Sequence, residues 1–264
     1  MTQQLDPGVT RRIHLVVRRR ARTFRRAVAH AHRHAGWGGA AEQAATLVGE
    51  LALRPLRRWR ERRLDQRLQL DTAADTGLVH PDLASATAGA YPDGVAYSPT
   101  PLHHFQKLLD RLSITDPAQF AFVDLGCGKG RTLVVAAEHG FRPVIGVELD
   151  LRLTGIARRN IRWYAFAAAA QSRQCPITVV NSDAVAYEFP TVPTVVFLFN
   201  PFGADTLGAV VANLERSLTA APRRLVVAYF NAAHRAILDA SPALCVAAST
   251  RNWVIYQTVA ESST

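Results

Sequence analysis

Cysteine is scarce in this chain. Three residues, Cys127, Cys175 and Cys245, are spread over 264 positions, too few and too scattered for a disulfide framework or a zinc site. That fits a reducing cytoplasm and predicts no metal centre. Long apolar runs are also missing: nothing approaches the roughly 18 residues that a membrane span needs. The short stretch Ile13 to Val17 is too brief and too closely flanked by arginine for a secretory signal. An arginine-rich, acid-poor start can imitate an organelle transit peptide, but the expectation is a soluble, cytoplasmic protein, with peripheral association at a membrane surface as an alternative. There is no internal repeat.

Charge of one sign is missing where it would balance the other. Residues 1–70 hold sixteen arginines, no lysine and five acids, a charge of +11; residues 71–264 hold fifteen basic and sixteen acidic residues, a charge of −1. The basicity therefore belongs to the N-terminal segment, which reads as helical over 9–35 and 42–68 around the loop signal Gly36-Trp37-Gly38-Gly39. In the second stretch Leu47, Leu51, Leu53, Leu56, Trp59, Leu64 and Leu68 make an irregular apolar stripe among Arg57, Arg58, Arg60, Arg62, Arg63 and Arg67. Such a helix suits an acidic partner, nucleic acid or an anionic membrane surface. It equally suits packing on a domain with its arginines in solvent. Residues 71–98, rich in Gly, Pro, Asp, Ser and Thr, read as a linker or lid, and 99–264 as the main domain.

What the chain does have is a core: 48% of it is hydrophobic. A helix is expected from Pro101 to Leu112, and after it strands and helices alternate. Strands are expected at Phe120–Leu125, Pro143–Leu149, Ile177–Asn181, Val195–Phe199 and Leu225–Phe230, with helices at Thr132–His139, Leu151–Ala170 and Thr206–Leu218. Leu244–Ser249 and Trp253–Val259, joined through Thr250-Arg251-Asn252, read as a closing antiparallel hairpin. Near-continuous Val, Ile, Leu and Phe strands alternating with helices predict an α/β fold: a mostly parallel sheet covered on both faces.

One loop announces chemistry. After the apolar Phe120–Val123 come Asp124, Leu125 and then Gly126, Gly128 and Gly130, spaced G-x-G-x-G before a helix. A backbone without Cβ can turn tightly there and let a ligand lie against its amides. The spacing is not the G-x-G-x-x-G of a dinucleotide fingerprint, and Lys129 followed by Gly130 rather than Ser or Thr is not a phosphate-binding P-loop. In open α/β sheets ligands bind outside the carboxyl ends of the strands. The second strand ends in Glu148, 22 residues after Gly126, the third runs into Ser182-Asp183-Ala184, and the fourth into Asn200-Pro201-Phe202. Singly, either acid could be a helix cap and Asn-Pro a turn. Jointly they put a polar group at each of four strand ends.

The segment from about Tyr97 to Val259 resembles the class I S-adenosylmethionine-dependent methyltransferases, a Rossmann-like family with a seven-stranded sheet. Val123 to Gly130 resembles their first motif, Gly146-Val147-Glu148 their second and Ser182-Asp183-Ala184 their third. The resemblance implies S-adenosyl-L-methionine as cofactor, with Gly126, Gly128 and Gly130 against its methionine part and ribose. Asp124 would hold the ammonium, Glu148 the ribose hydroxyls, and Asp183 and Ala184 the adenine. Tyr97-Ser98-Pro99-Thr100-Pro101 is similar to the lead-in of the Dot1-like and seven-strand protein lysine methyltransferases, which makes Tyr97 and Thr100 candidate cofactor contacts; the Dot1-like acid is Pro99 here.

Asn200, Pro201 and Phe202 resemble, with one proline fewer, the Asn/Asp-Pro-Pro-Tyr/Phe motif of enzymes that methylate planar amino nitrogens. They are the candidate acceptor-side residues, with Tyr229, Asn231 and His234 as further pocket candidates. The implied activity is methyl transfer to an N or O acceptor such as a protein lysine or a small molecule. A nucleic-acid methyltransferase using the basic arm and a non-catalytic cofactor-binding scaffold are the alternatives.

Overall fold

The computed structural model describes residues 97–169 and 175–259 together with Trp59, Arg63, Asp65, Gln66 and 70–72. The expected helices over 9–35 and 42–68 lie almost wholly outside these residues; the described members of the second, Trp59, Arg63, Asp65 and Gln66, are helical. Most of the expected linker 71–98 also lies outside them. The chain divides into two compact units, Met1–Arg60 and Glu61–Thr264.

The larger unit carries the sheet. Helix α1 (Leu102–Leu109) precedes β1 (Ala121–Leu125), α2 (Arg131–His139), β2 (Val144–Glu148), α3 (Leu151–Ala169) and β3 (Ile177–Asn181). Then follow β4 (Thr194–Phe199), α4 (Ala204–Ala220), β5 (Leu225–Phe230), α5 (Arg235–Asp239), β6 (Leu244–Ser249) and β7 (Trp253–Thr258). The sheet has seven strands in the order β3-β2-β1-β4-β5-β7-β6. The first five are parallel, and β7 runs antiparallel between β5 and β6. This is the expected Rossmann-like sheet with its closing hairpin. The strands and helices expected between Pro101 and Val259 all form, with ends displaced by a few residues; the five-residue α5 is too short to have produced a periodic signal.

Alternation along the strands explains the two-sided cover. Phe122, Val195, Phe197, Val226 and Ala228 face a core shared with α1, α2 and α3, where Phe105 packs edge-on against Phe197 at 4.8 Å between ring centres. Their neighbours Val123, Leu125, Val196, Leu198, Val227 and Tyr229 face the second core, beneath α4 and α5. The central strands β1, β4 and β5 are thus buried on both faces, which is why they read as continuous apolar runs. The strand order reverses between β1 and β4. The carboxyl ends of β2, β1, β4 and β5 therefore open onto one crevice.

Candidate cofactor and acceptor site

At that crevice lies a cavity of about 270 Å³, near the small end of the roughly 300–1,000 Å³ usual for ligand clefts. It is lined by Tyr97, Thr100, Asp124, Gly126, Gly128 and Glu148, and by Ala184, Asn200, Pro201 and Phe202. Ten of the twelve residues that the sequence motifs point to thus meet at one place, joined by Asn231 of the three further pocket candidates. Gly130 and Asp183 lie outside the lining. Gly130 caps α2 in the left-handed region at φ 80°, and Asp183 accepts the Val185 amide at 2.7 Å, capping the short 3₁₀ turn Ala184–Ala186.

The glycine loop works differently from the simple expectation. Its amides are already spent: Gly126 and Cys127 donate to the Val147 carbonyl at 2.9 and 3.1 Å, Gly130 donates to the Cys127 carbonyl at 2.9 Å, and Gly128 donates to Glu148 Oε2 at 2.8 Å. What the glycines supply is room. A Cβ on Gly128 would meet the Tyr97 ring at 2.2 Å, and one on Gly126 would meet Pro201 Cβ at 2.8 Å. Both also adopt positive φ, 54° and 78°, where L side chains are strained. The loop is therefore pressed between the lead-in segment and the Asn-Pro-Phe turn, two pieces more than a hundred residues apart.

The two acids are buried beside one another. Asp124 is 3% exposed and accepts a hydrogen bond from the Thr132 hydroxyl. Burial pushes its carboxyl up to about 7, partly countered by the Thr132 bond and reinforced by the nearby Glu148 charge. Glu148, 7% exposed, is also pushed above the usual carboxylate range by burial, although the Asp150 and Gly128 amides favour its charged form. Its Oε1 accepts from Asp150 at 2.9 Å, so the carboxylate joins β2, the glycine loop and the start of α3. A carboxylate has about four acceptor sites, so two amides leave capacity for a ligand's hydroxyls.

On the acceptor side, Asn200 follows β4 with φ 43° and Asn231 follows β5 with φ 52°. Positive φ in a residue other than glycine is uncommon and costs on the order of 1 kcal/mol or more, and such residues gather at functional sites. Both asparagines line the cavity. The buried Tyr229 donates its hydroxyl to Asn200 Oδ1 at 2.9 Å and accepts the His234 amide at 3.4 Å. Tyr229 and His234 themselves lie outside the lining: Tyr229 orients Asn200 from behind, and His234 caps α5.

Sequence reasoning missed Arg131, Thr132 and Cys127, which also line the cavity, and it missed what holds Arg131. Arg131 Nε donates to Thr72 Oγ1 at 2.6 Å and its Nη2 to Asp65 Oδ2 at 3.0 Å. Lys129 pairs with Asp71 at 3.2 Å, and Asn160 bonds both the Asp71 backbone and the Lys129 carbonyl. Asp65, within the described part of the second basic helix, and Asp71 and Thr72, at the start of the expected linker, thus form a strap of side chains against the loop and the first residue of α2. The signal available was weak: two acids and a threonine in an arginine-rich stretch, matched to two cations in a glycine loop. Among the described residues no helix is long and apolar enough to cross a membrane, and no group of three or more His, Cys, Asp or Glu could hold a metal ion.

No family model and no curated protein matches the chain. Solved structures do. An RNA methyltransferase from Salinibacter ruber, in complex with S-adenosyl-L-homocysteine, is 17% identical, the match covering 61% of this chain and 92% of that one at a TM-score of 0.41. A SAM-dependent methyltransferase from Aquifex aeolicus is 15% identical over 59% of this chain and 89% of its own, with a TM-score of 0.42. A geranyl diphosphate C-methyltransferase from Streptomyces coelicolor A3(2) is 13% identical over 60% and 77%, with a TM-score of 0.43.

Proposed function

We propose that the chain is an S-adenosylmethionine-dependent methyltransferase acting on a nitrogen or oxygen acceptor, such as a protein lysine or a small molecule. The observation that carries the reading is the pair Asp124 and Glu148, buried side by side at the ends of adjacent parallel strands against a glycine loop. Both carboxyls are raised by burial, so the cavity favours a ligand that restores their charge with an ammonium and with hydroxyl donors. S-adenosylmethionine has both groups, and when bound it supplies a methyl activated by an adjacent sulfonium.

The chain's own residues then orient and enclose. Asp124, fixed by Thr132, faces the amino group, and Glu148, fixed by two backbone amides, takes ribose hydroxyls. Ala184 and Ser182 at the end of β3 border the adenine, and Tyr97 and Thr100 close the other side. At the far wall Asn200 offers an amide oxygen that Tyr229 already orients, and its second lone pair can accept from an acceptor N–H or O–H. Pro201 and Phe202 exclude water beside it. Positioning of this kind can supply about 7–11 kcal/mol of a barrier in favourable cases.

Incubation of the full chain with methyl-labelled S-adenosylmethionine and a cell extract tests the reading. Transfer of label to an acceptor, lost in Asn200→Ala, supports it; cofactor binding without transfer to any acceptor favours a scaffold instead. The +11 charge of residues 1–70 favours a nucleic acid as the second acceptor class. Label in the nucleic-acid fraction, with binding that weakens steeply between low and moderate salt, would identify it.

A further inference from the structure

Thr72 joins two walls of the cavity. It is fully buried; its hydroxyl accepts from Arg131 and donates to Asp65, and its carbonyl accepts the Tyr97 hydroxyl at 3.1 Å. Arg131 and Tyr97 both line the cavity, so a single residue of the strap fixes one cation and one ring there. The next residue of α2, Thr132, holds Asp124, and Arg131, Thr132 and Asp124 all line the cavity.

Arg131 is a costly residue for its position. It is the first residue of α2, where the helix macrodipole disfavours a cation, and it is only 4% exposed. Packing alone would be served by an apolar or acidic side chain. Asp65 offsets the charge through the 3.0 Å ion pair, and Asp65 is itself fixed by Thr72. Among the described residues lining the cavity, two are acids, Asp124 and Glu148, and one is a cation, Arg131. A free amino-acid head group presents both signs and is matched only where both are met.

We infer that Arg131 receives the carboxylate of the cofactor's amino-acid end, and that Asp65 and Thr72 are positioning residues that hold its guanidinium for that contact. The assignment rests on the methyltransferase reading above and extends it, because it makes Asp65 and Thr72 part of the cofactor site. Arginine suits the role because its planar fork can be held by Thr72 through Nε and by Asp65 through Nη2 while its five N–H donors leave capacity for a ligand carboxylate.

Titration calorimetry on the full chain tests this with two probes. S-adenosylhomocysteine carries the carboxylate; its decarboxylated analogue keeps the adenosine, sulfur and amine but lacks it. Arg131→Gln is expected to weaken S-adenosylhomocysteine at least tenfold while leaving the analogue within about threefold of wild type. Arg131→Lys should recover part of the loss, and Thr72→Val and Tyr97→Phe should show smaller losses with the same selectivity. Circular-dichroism melts check that each variant is folded; if Arg131→Gln is not, the Thr72→Val and Arg131→Lys pair decides. Equal weakening of both probes, or none, overturns the carboxylate assignment while the methyltransferase reading stands. Failure of wild type to bind either probe overturns that reading and this assignment with it.

Discussion

Glu148 Oε2 accepts the Gly128 amide at 2.8 Å, so the acid that ends β2 braces the glycine loop that follows β1. The same carboxylate takes the Asp150 amide at 2.9 Å. Its substitution must therefore act on the fold as well as on a ligand. Glu148→Ala leaves two buried amides without their acceptor and is expected to cost about 1–3 kcal/mol each at most, less where water enters. Urea unfolding of the variant should show a clear loss of stability. An unchanged midpoint would mean that the loop holds its shape without this brace.

Gly128 and Gly155 are opposite cases. Alanine at Gly128 would meet the Tyr97 ring at 2.2 Å and sit at φ 54°, so Gly128→Ala is expected to destabilise the fold and displace Tyr97. Left-handed backbone alone costs roughly 1–2 kcal/mol for a side chain with a Cβ. Gly155 lies inside α3 with nothing within 4 Å of the added Cβ, so Gly155→Ala should stabilise by about 0.5–1 kcal/mol. Thermal melts of the two single variants should move in opposite directions. A shift in the same direction would contradict the packing described here.

Much of this was legible because it is local. β1 through β5 are continuous apolar runs, and G-x-G-x-G is written within five positions, so strand ends and loop follow from neighbours in sequence. Asp124, Glu148 and Asn200 were findable because each immediately follows or ends such a run. The strap was not legible: the Thr72–Arg131 and Asp65–Arg131 bonds link residues about sixty positions apart through single polar side chains. Asp65 also sits amid arginines whose bulk charge dominates any reading of that stretch. The spent amides of the glycine loop were equally hidden, since spacing shows that a backbone can approach something but not what it approaches.

Asp124 sets the expected pH dependence. Its carboxyl moves from an ordinary 3.8 to about 7 on folding, so between those values the folded chain holds more proton than the unfolded one. Its contribution to stability therefore falls as pH rises across that window, and is fully present only below it. A bound ammonium favours the ionised form, so affinity for S-adenosylhomocysteine should rise from pH 6 to pH 8. Asp124→Asn should flatten that rise. Calorimetry at several pH values checks it, and flat affinity in the wild type would remove Asp124 from the amino-group contact.

Tyr229→Phe removes one hydroxyl and little else. The Asn200 amide oxygen and the His234 amide both lose a partner, at an expected cost of about 1–2 kcal/mol in urea unfolding. Because Tyr229 stands behind Asn200 and outside the cavity lining, S-adenosylhomocysteine affinity should stay within about threefold of wild type. A large loss of cofactor affinity would place Tyr229 on the cofactor side of the site.

The central claim is that the crevice at the strand ends binds S-adenosylmethionine through Asp124 and Glu148. Titration calorimetry of the full chain with S-adenosylhomocysteine tests it most directly, alongside Asp124→Asn and Glu148→Ala checked for folding by circular dichroism. The account predicts saturable binding at one site per chain, weakened at least tenfold by either substitution. Absence of binding by the wild type, or binding at wild-type strength by both folded variants, would contradict it.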